Sequence, residues 1–346
     1  MWADLPGVQV PLIQAPMAGA QGVELALAVG RVGALGSLPC AMLGRDALRQ
    51  ALEQIRAQSA CVNINFFCHT PPVPDAVREA AWRTVLLPYY REYGVDPAQS
   101  VAAASRAPFS AETAELLAEF NPAVVSFHFG LPTQELLARM RSWGARVLSS
   151  ATTVEEALWL QSQGVDAIIA QGLEAGGHRG MFLTDDTSTQ LGTPALARQI
   201  VRAVKLPVIA AGGIADAPGV AAAMAMGAAG VQVGTAYLLC PKATTEPLHR
   251  AALQSDAARH TALTPLFSGR LARGIVNRLM REVNASLAPA FPLASAALLP
   301  LRQAAEKAGK ADFTSLWSGQ NATGCAAVPA ARLTQALARG FDRPRL

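Results

Sequence analysis

The chain has 346 residues, 51% hydrophobic and only 16% charged, with 29 Lys and Arg against 25 Asp and Glu for a net charge of +4. A domain takes roughly 150 residues and a single barrel about 250, so the length fits one large domain with a smaller companion. The composition excludes disorder over most of the chain, the scattered cations offer no stripe for nucleic acid, and no apolar run approaches the ~20 residues of a membrane span. The five cysteines are far apart and form no C-x-x-C pair, so neither a metal site nor a redox motif is expected. The N-terminal MWADLPGVQVPL has neither the basic start nor the apolar core of a signal peptide. A cytoplasmic protein, monomeric or homodimeric, is expected.

In chain order, residues 10–15 read as a strand, 23–29 as a helix, 34–38 as a strand, 46–58 as a helix and 61–66 as a strand. Residues 69–120 break this rhythm. Opened by Pro71, Pro72 and Pro74, that segment is too long for a loop and is expected to be mostly helical. A strand follows at 123–127. From 144 the alternation is regular: strands at 145–149, 166–170, 206–211 and 230–233, with helices at 153–163, 194–204 and 218–226 between them. Asp216 is placed to cap the last of these helices and Gly227 to stop it. Beyond 239, helices are expected at 298–308 and 330–338. Eight short strands, apolar throughout and separated by helices, must be parallel and covered on both faces. The α/β class is therefore expected as a TIM (β/α)8 barrel of residues 1–68 and 121–238. Residues 69–120 and 239–346 are expected to form an additional smaller, mainly helical cap.

In such a barrel, chemistry collects at the C-terminal ends of the strands. Gly212-Gly213 and Gly234-Thr235 end neighbouring strands, where small residues let backbone N–H groups approach a phosphate; the alternative is a tight turn before Asp216. No dinucleotide fingerprint stands in a strand–helix context, which favours a mononucleotide cofactor. Asn65 and Gln171 are strand-end amides, each with a donor and an acceptor, as the edge of a flavin ring requires. His178 stands in the glycine-rich run QGLEAGGHRG, where an imidazole has little packing to serve and suits proton transfer or the polarising of an anionic substrate. His128 either lines the pocket or serves as a hydrogen-bonded core histidine. His69 is expected to cap a turn before Thr-Pro-Pro, and Glu174 to support its loop. No G-x-S-x-G, Ser-His-Asp trio or carboxylate pair is present.

Taken in order, APMAG, NFFCH, SFHFG, QGLEAGGHRG, AAGGI, QVGTAYL and LFSGRLARG closely resemble the strand-end motifs of the nitronate monooxygenases, formerly 2-nitropropane dioxygenases. NFFCH and the SGR-x-AR segment resemble the class I branch, and the likeness runs from about residue 10 to 320. The resemblance implies an FMN-dependent barrel with contacts to the cofactor at Pro16, Met17, Asn65, Gln171, Gly176, Gly177, Gly213 and Gln232, Val233, Gly234 and Thr235. The phosphate would lie on Gly212, Gly213, Gly234 and Thr235. His178 matches the family's catalytic histidine, and Ser268, Gly269 and Arg270 would close over cofactor or substrate. Phe291 stands where the family often carries a tyrosine. The implied reaction is oxidation of an alkyl nitronate, propionate 3-nitronate for this branch, by O2 to a carbonyl compound and nitrite, a detoxification. AAGGI and QVGT also resemble motifs of other FMN barrels. The alternative is thus an FMN-dependent NAD(P)H oxidoreductase acting on a quinone or an enoyl thioester.

Overall fold

The computed structural model describes residues 1–97 and 106–342. Residues 98–105, within the segment expected to be helical, and 343–346, at the end of the expected cap, lie outside the described residues. The strands are β1 (Leu12–Gln14), β2 (Gly36–Pro39), β3 (Val62–Phe67), β4 (Val124–His128), β5 (Arg146–Ala151), β6 (Ala167–Gln171), β7 (Gly177–His178), β8 (Val208–Ala211), β9 (Gly230–Val233), β10 (Thr261–Thr264) and β11 (Ala272–Ile275). The helices are α1 (Val23–Gly30), α2 (Arg45–Ala57), α3 (Ala76–Glu92), α4 (Ala111–Ala118), α5 (Gln134–Ser142), α6 (Val154–Ser162), α7 (Thr193–Ala203), α8 (Ala217–Ala225), α9 (Pro247–Leu253), α10 (Arg278–Glu282), α11 (Ala294–Lys307) and α12 (Ala330–Ala338).

Eight strands form one parallel sheet in the order β1-β9-β8-β6-β5-β4-β3-β2. The sheet closes on itself: the Gln14 amide donates to the Leu35 carbonyl and the Leu35 amide to the Leu12 carbonyl, both at 2.9 Å. The eight barrel strands expected from the sequence are these eight, with ends shifted by a residue or two. Side chains alternate in and out along each strand. Below, the inward positions Ile13, Leu35, Val124, Leu148 and Ile209 pack with Leu5 and Val8 into an apolar plug. Above that plug the same inward face turns polar. Asn63 Nδ2 donates to Ser37 Oγ at 3.0 Å, and Asn65 Nδ2 donates to Ser126 Oγ at 2.9 Å. The barrel is therefore solid at its floor and hydrophilic towards its C-terminal mouth.

The surrounding helices start where short polar side chains accept from the first turn. Ser110, Thr133, Thr153 and Asp216 each take the amide three residues on, Asp216 that of Gly219 at 2.8 Å, worth ~1 kcal/mol apiece. A second apolar cluster lies outside the barrel. Trp82, Leu86 and Tyr90 of α3 pack with Leu298 and Leu301 of α11 and with Phe313, joining chain segments more than 200 residues apart. α4 and α12 pack instead with the main core, which includes Leu116, Leu117, Leu333 and Leu337. A small antiparallel sheet, β10-β11-β7, was not legible in the sequence. It pairs Ala272 with His178 and Arg273 with Gly177.

Candidate active site

The loop after β6 is fastened at both ends and in the middle. Gln171 spends its side chain on it: Nε2 donates to the His178 carbonyl at 2.9 Å, and Oε1 accepts from the Gly180 amide at 2.7 Å. Arg179, fully buried, donates to the Gly172 and Gln171 carbonyls, both at 2.7 Å, and to Gln190 Oε1. Arg273 reaches down from β11 to the Leu173 carbonyl at 2.8 Å. Glu174 holds Thr193 through its amide and hydroxyl, both at 2.7 Å, the supporting role expected of it. Together these bonds fix the backbone that carries His178.

The His178 ring is set just as firmly. Its Nε2 lies 2.8 Å from Ser268 Oγ, and the rings of Phe291 and Trp317 stand 5.4 and 5.5 Å away. His128 supports it from behind. The His178 carbonyl can only accept, so His128 Nε2 carries the proton in their 3.1 Å contact, and Ser150 Oγ, at 3.0 Å, donates to Nδ1. Both ring nitrogens of His128 are thereby engaged, and this histidine positions the His178 backbone.

Burial, joined by the charges of Arg106 and Arg270, holds the His178 imidazole well below its usual value of 6.5. His69 and His128 are each pushed down to about 4, mainly by burial, with Arg270 acting on both. All three rings are neutral at pH 7. His69 departs from expectation: it caps no turn. It is 5% exposed, its Nδ1 has no partner among the described residues, and its ring stands edge-on to Phe291 at 4.7 Å and to Phe129 at 6.2 Å. The polarity of His69 hid that it belongs to an aromatic wall of Phe67, Phe129 and Phe291. Arg270 completes the wall. Its guanidinium lies 4.1 Å from the Phe129 ring centroid, a contact worth ~2 kcal/mol when desolvated, and one nitrogen donates to the Met181 carbonyl.

Beside this cluster lie the expected cofactor positions. Gly212 and Gly213 end β8, and Gly234 and Thr235 end β9, all half-exposed. Gly212 and Gly213 adopt φ of +121° and +69°, which a side chain would strain. A methyl on Gly234 would stand 3.7 Å from Met17 Sδ, and the Pro16–Met17 turn is held by the Met17 amide donating to Gln21 Oε1 at 3.0 Å. Val233 is buried on the outward face of β9. Gln232 points inward, level with Ala211 and Ile13, and its buried Oε1 has no partner among the described residues. Such an acceptor wants an N–H, which the imide of a flavin provides. A Cβ on Gly176 would meet Gly319 N at 2.5 Å, and Gly177 has φ of +72°. These residues fit a flavin mononucleotide.

Sequence reasoning missed the covering strand of chain, residues 317–321. There the Gly319 amide donates to Thr235 Oγ1 at 2.9 Å, and Asn321 Nδ2 donates to the Gly213 carbonyl at 2.9 Å. Asn321 falls just past the end of the likeness, far beyond the last motif at 266–274, and no local pattern announced it. Arg106 was also missed, lying in a stretch without periodicity.

A family model described as nitronate monooxygenase matches residues 1–339. The chain is 41% identical over 341 residues to the nitronate monooxygenase of Paraburkholderia phytofirmans, covering 97% of this chain and 93% of the relative. It is 40% identical over 338 residues to that of Pseudomonas aeruginosa, covering 96% of each. Among solved structures, nitroalkane oxidase from Streptomyces ansochromogenes superposes with a TM-score of 0.88 at 35% identity, over 98% of this chain and 96% of that one. FabK from Thermotoga maritima, with a TM-score of 0.70 at 23% identity over 98% of this chain and 95% of that one, shares the fold. The match along almost the whole length, on a barrel whose mouth carries the motif residues, means that this chain belongs to the nitronate monooxygenase family.

Proposed function

We propose that this enzyme oxidises alkyl nitronates, propionate 3-nitronate among them, with FMN and O2 to a carbonyl compound and nitrite, a detoxification carried out in the cytoplasm. The observation that carries the reading is the place of the His178 imidazole at the barrel mouth, 2.8 Å from Ser268 Oγ and against an aromatic wall bearing Arg270, where burial and nearby cations hold its pKa below the usual value. An imidazole whose pKa is this low is a poor base for the α-proton of a nitroalkane. It remains a good hydrogen-bond partner for an anion that is already deprotonated. The site therefore suits the nitronate better than its neutral parent.

FMN, when bound, supplies the electron acceptor for the nitronate and the means of passing electrons to O2. Gly212, Gly213, Gly234 and Thr235 would hold its phosphate, Pro16, Met17, Gly176, Gly177, Gln232 and Val233 would frame it, and Asn65 and Gln171 would lie at its edge. His178 orients the nitronate oxygens, and Ser268 keeps the ring from turning. Phe67, Phe129 and Phe291 exclude water, which strengthens each remaining polar contact. Within the segments 69–120 and 239–346, which interrupt and follow a barrel of 1–68 and 121–238, α3 and α11 pair into a cluster of their own and would serve as the substrate-side cover, while α4 and α12 pack with the main core.

Two measurements test the cofactor and the reaction class. The purified protein should show a flavin spectrum and release FMN, near one per chain, on denaturation. Under anaerobic conditions NADH or NADPH should leave that flavin oxidised. A colourless protein that fails to take up added FMN, or rapid bleaching by either nucleotide, would overturn the reading in favour of no flavin chemistry or of a reductase.

A further inference from the structure

We propose that Arg106 determines substrate specificity by binding a carboxylate at the end of the nitronate remote from the reacting carbon. This rests on the nitronate reading above and deepens it by naming the residue that reads the tail.

Arg106 is fixed between two parts of the pocket wall. Three residues on, the Phe109 amide donates to the carbonyl of Phe67, at the end of β3, at 2.8 Å. On its other side, Arg106 Nη1 donates to Ser295 Oγ at 3.0 Å, and that hydroxyl donates to the Pro292 carbonyl at 2.9 Å. The residue before Pro292 is Phe291, whose ring is 5.4 Å from that of His178 and 4.7 Å from that of His69. The guanidinium is thus tied to the turn that forms the far wall from the His178 loop.

Its charge is not balanced by the protein. Among the described residues no carboxylate lies within ion-pair distance of Arg106 or of Arg270. Arg106 is half-buried, desolvation holds its pKa below the usual arginine value, and the one charge that adds to this is another cation, Arg302. Of the charges that act on His178, that of Arg106 is the strongest. A half-buried cation without a counter-ion is partly desolvated and unpaired, and that cost is offset when an anionic ligand arrives. Arg270 is committed to the Phe129 face and the Met181 carbonyl beside His69. One guanidinium suffices for the single charge of a nitronate. The second, at Arg106, calls for a second negative group, and a carboxylate matches its fork. A short nitronate with a terminal carboxylate supplies both charges.

The test compares propionate 3-nitronate with butyl nitronate, which has a similar length and no terminal charge. In the holoenzyme, kcat/KM for the two should favour the carboxylated substrate. Arg106→Gln should lower that preference at least tenfold, through KM for propionate 3-nitronate, while the flavin absorbance is retained. Arg106→Lys should recover part of it, because a point charge replaces the fork. A preference unchanged in both variants, or one that stays constant because both substrates suffer equally, overturns the assignment. Failure of the unmodified enzyme to oxidise either nitronate overturns the functional reading and this assignment with it.

Discussion

His178 works as a neutral imidazole because everything around it resists a positive charge. Burial comes first, then the cations Arg106 and Arg270. The rate with a preformed nitronate should therefore be level from pH 8 down through pH 6, with no step at the ordinary histidine value of 6.5; an inflection there would mean a charged, solvated ring. His178→Asn should keep the bound flavin and lose at least ~100-fold in nitronate oxidation, the usual cost of removing one preorganised hydrogen-bond partner of the reacting anion. Ser268→Ala removes one ring contact and should cost about tenfold in kcat, read in the same nitrite assay, with the flavin spectrum unchanged. At this scale the sequence displayed His178 openly, since a histidine among glycines has nothing to pack against. His69 was misread because its neighbours in the chain, Thr70, Pro71 and Pro72, look like a turn. Its true neighbours, Phe129 and Phe291, come from distant segments.

The element that matters most is the loop from Gly172 to Gly180, and its rigidity comes from groups far from it in sequence. Glu156, in the first turn of α6 and fully buried, accepts from the Thr152 amide and hydroxyl and from the Phe182 amide at 2.6 Å, tying the loop's exit to the helix. Glu156→Ala leaves those buried donors unpaired and should destabilise the protein by roughly 3 kcal/mol, read by denaturant titration. The strand–helix alternation was legible because barrel strands are buried on both faces and the helices carry their own caps. The β10-β11-β7 sheet was not legible. β7 is only two residues long, and its partners lie about 95 positions away, so no periodicity marks it. The crossing of residues 317–321 over Gly213 and Thr235 was hidden for the same reason, since its bonds run from a single backbone amide and one side-chain amide.

On the scale of the molecule, a barrel with an apolar floor and a polar mouth is covered at one side by α3 and α11. Several histidines are buried in this fold, His249 of α9 among them, where its Nε2 lies 3.0 Å from the Trp317 carbonyl. His69, His128 and His249 are each held near 4 by burial, whereas an unfolded chain titrates at 6.5. Between those values the unfolded state takes up protons that the folded state refuses. Stability is therefore complete above about pH 6.5 and falls as the pH drops towards 4, by at most about 1.4 kcal/mol per pH unit for each histidine. Melting temperature should fall by roughly 5–10 °C from pH 7 to pH 5, measured by thermal unfolding of the holoenzyme. A flat profile would show that these rings reach solvent. The central claim concerns the chemistry at the mouth, and oxygen uptake with nitrite release tests it most directly. Mixed with propionate 3-nitronate under air, the flavin-loaded enzyme should consume oxygen and release nitrite as the nitronate disappears, and His178→Asn should do neither at a comparable rate. An unmodified enzyme that holds FMN yet produces no nitrite and takes up no oxygen would contradict the account.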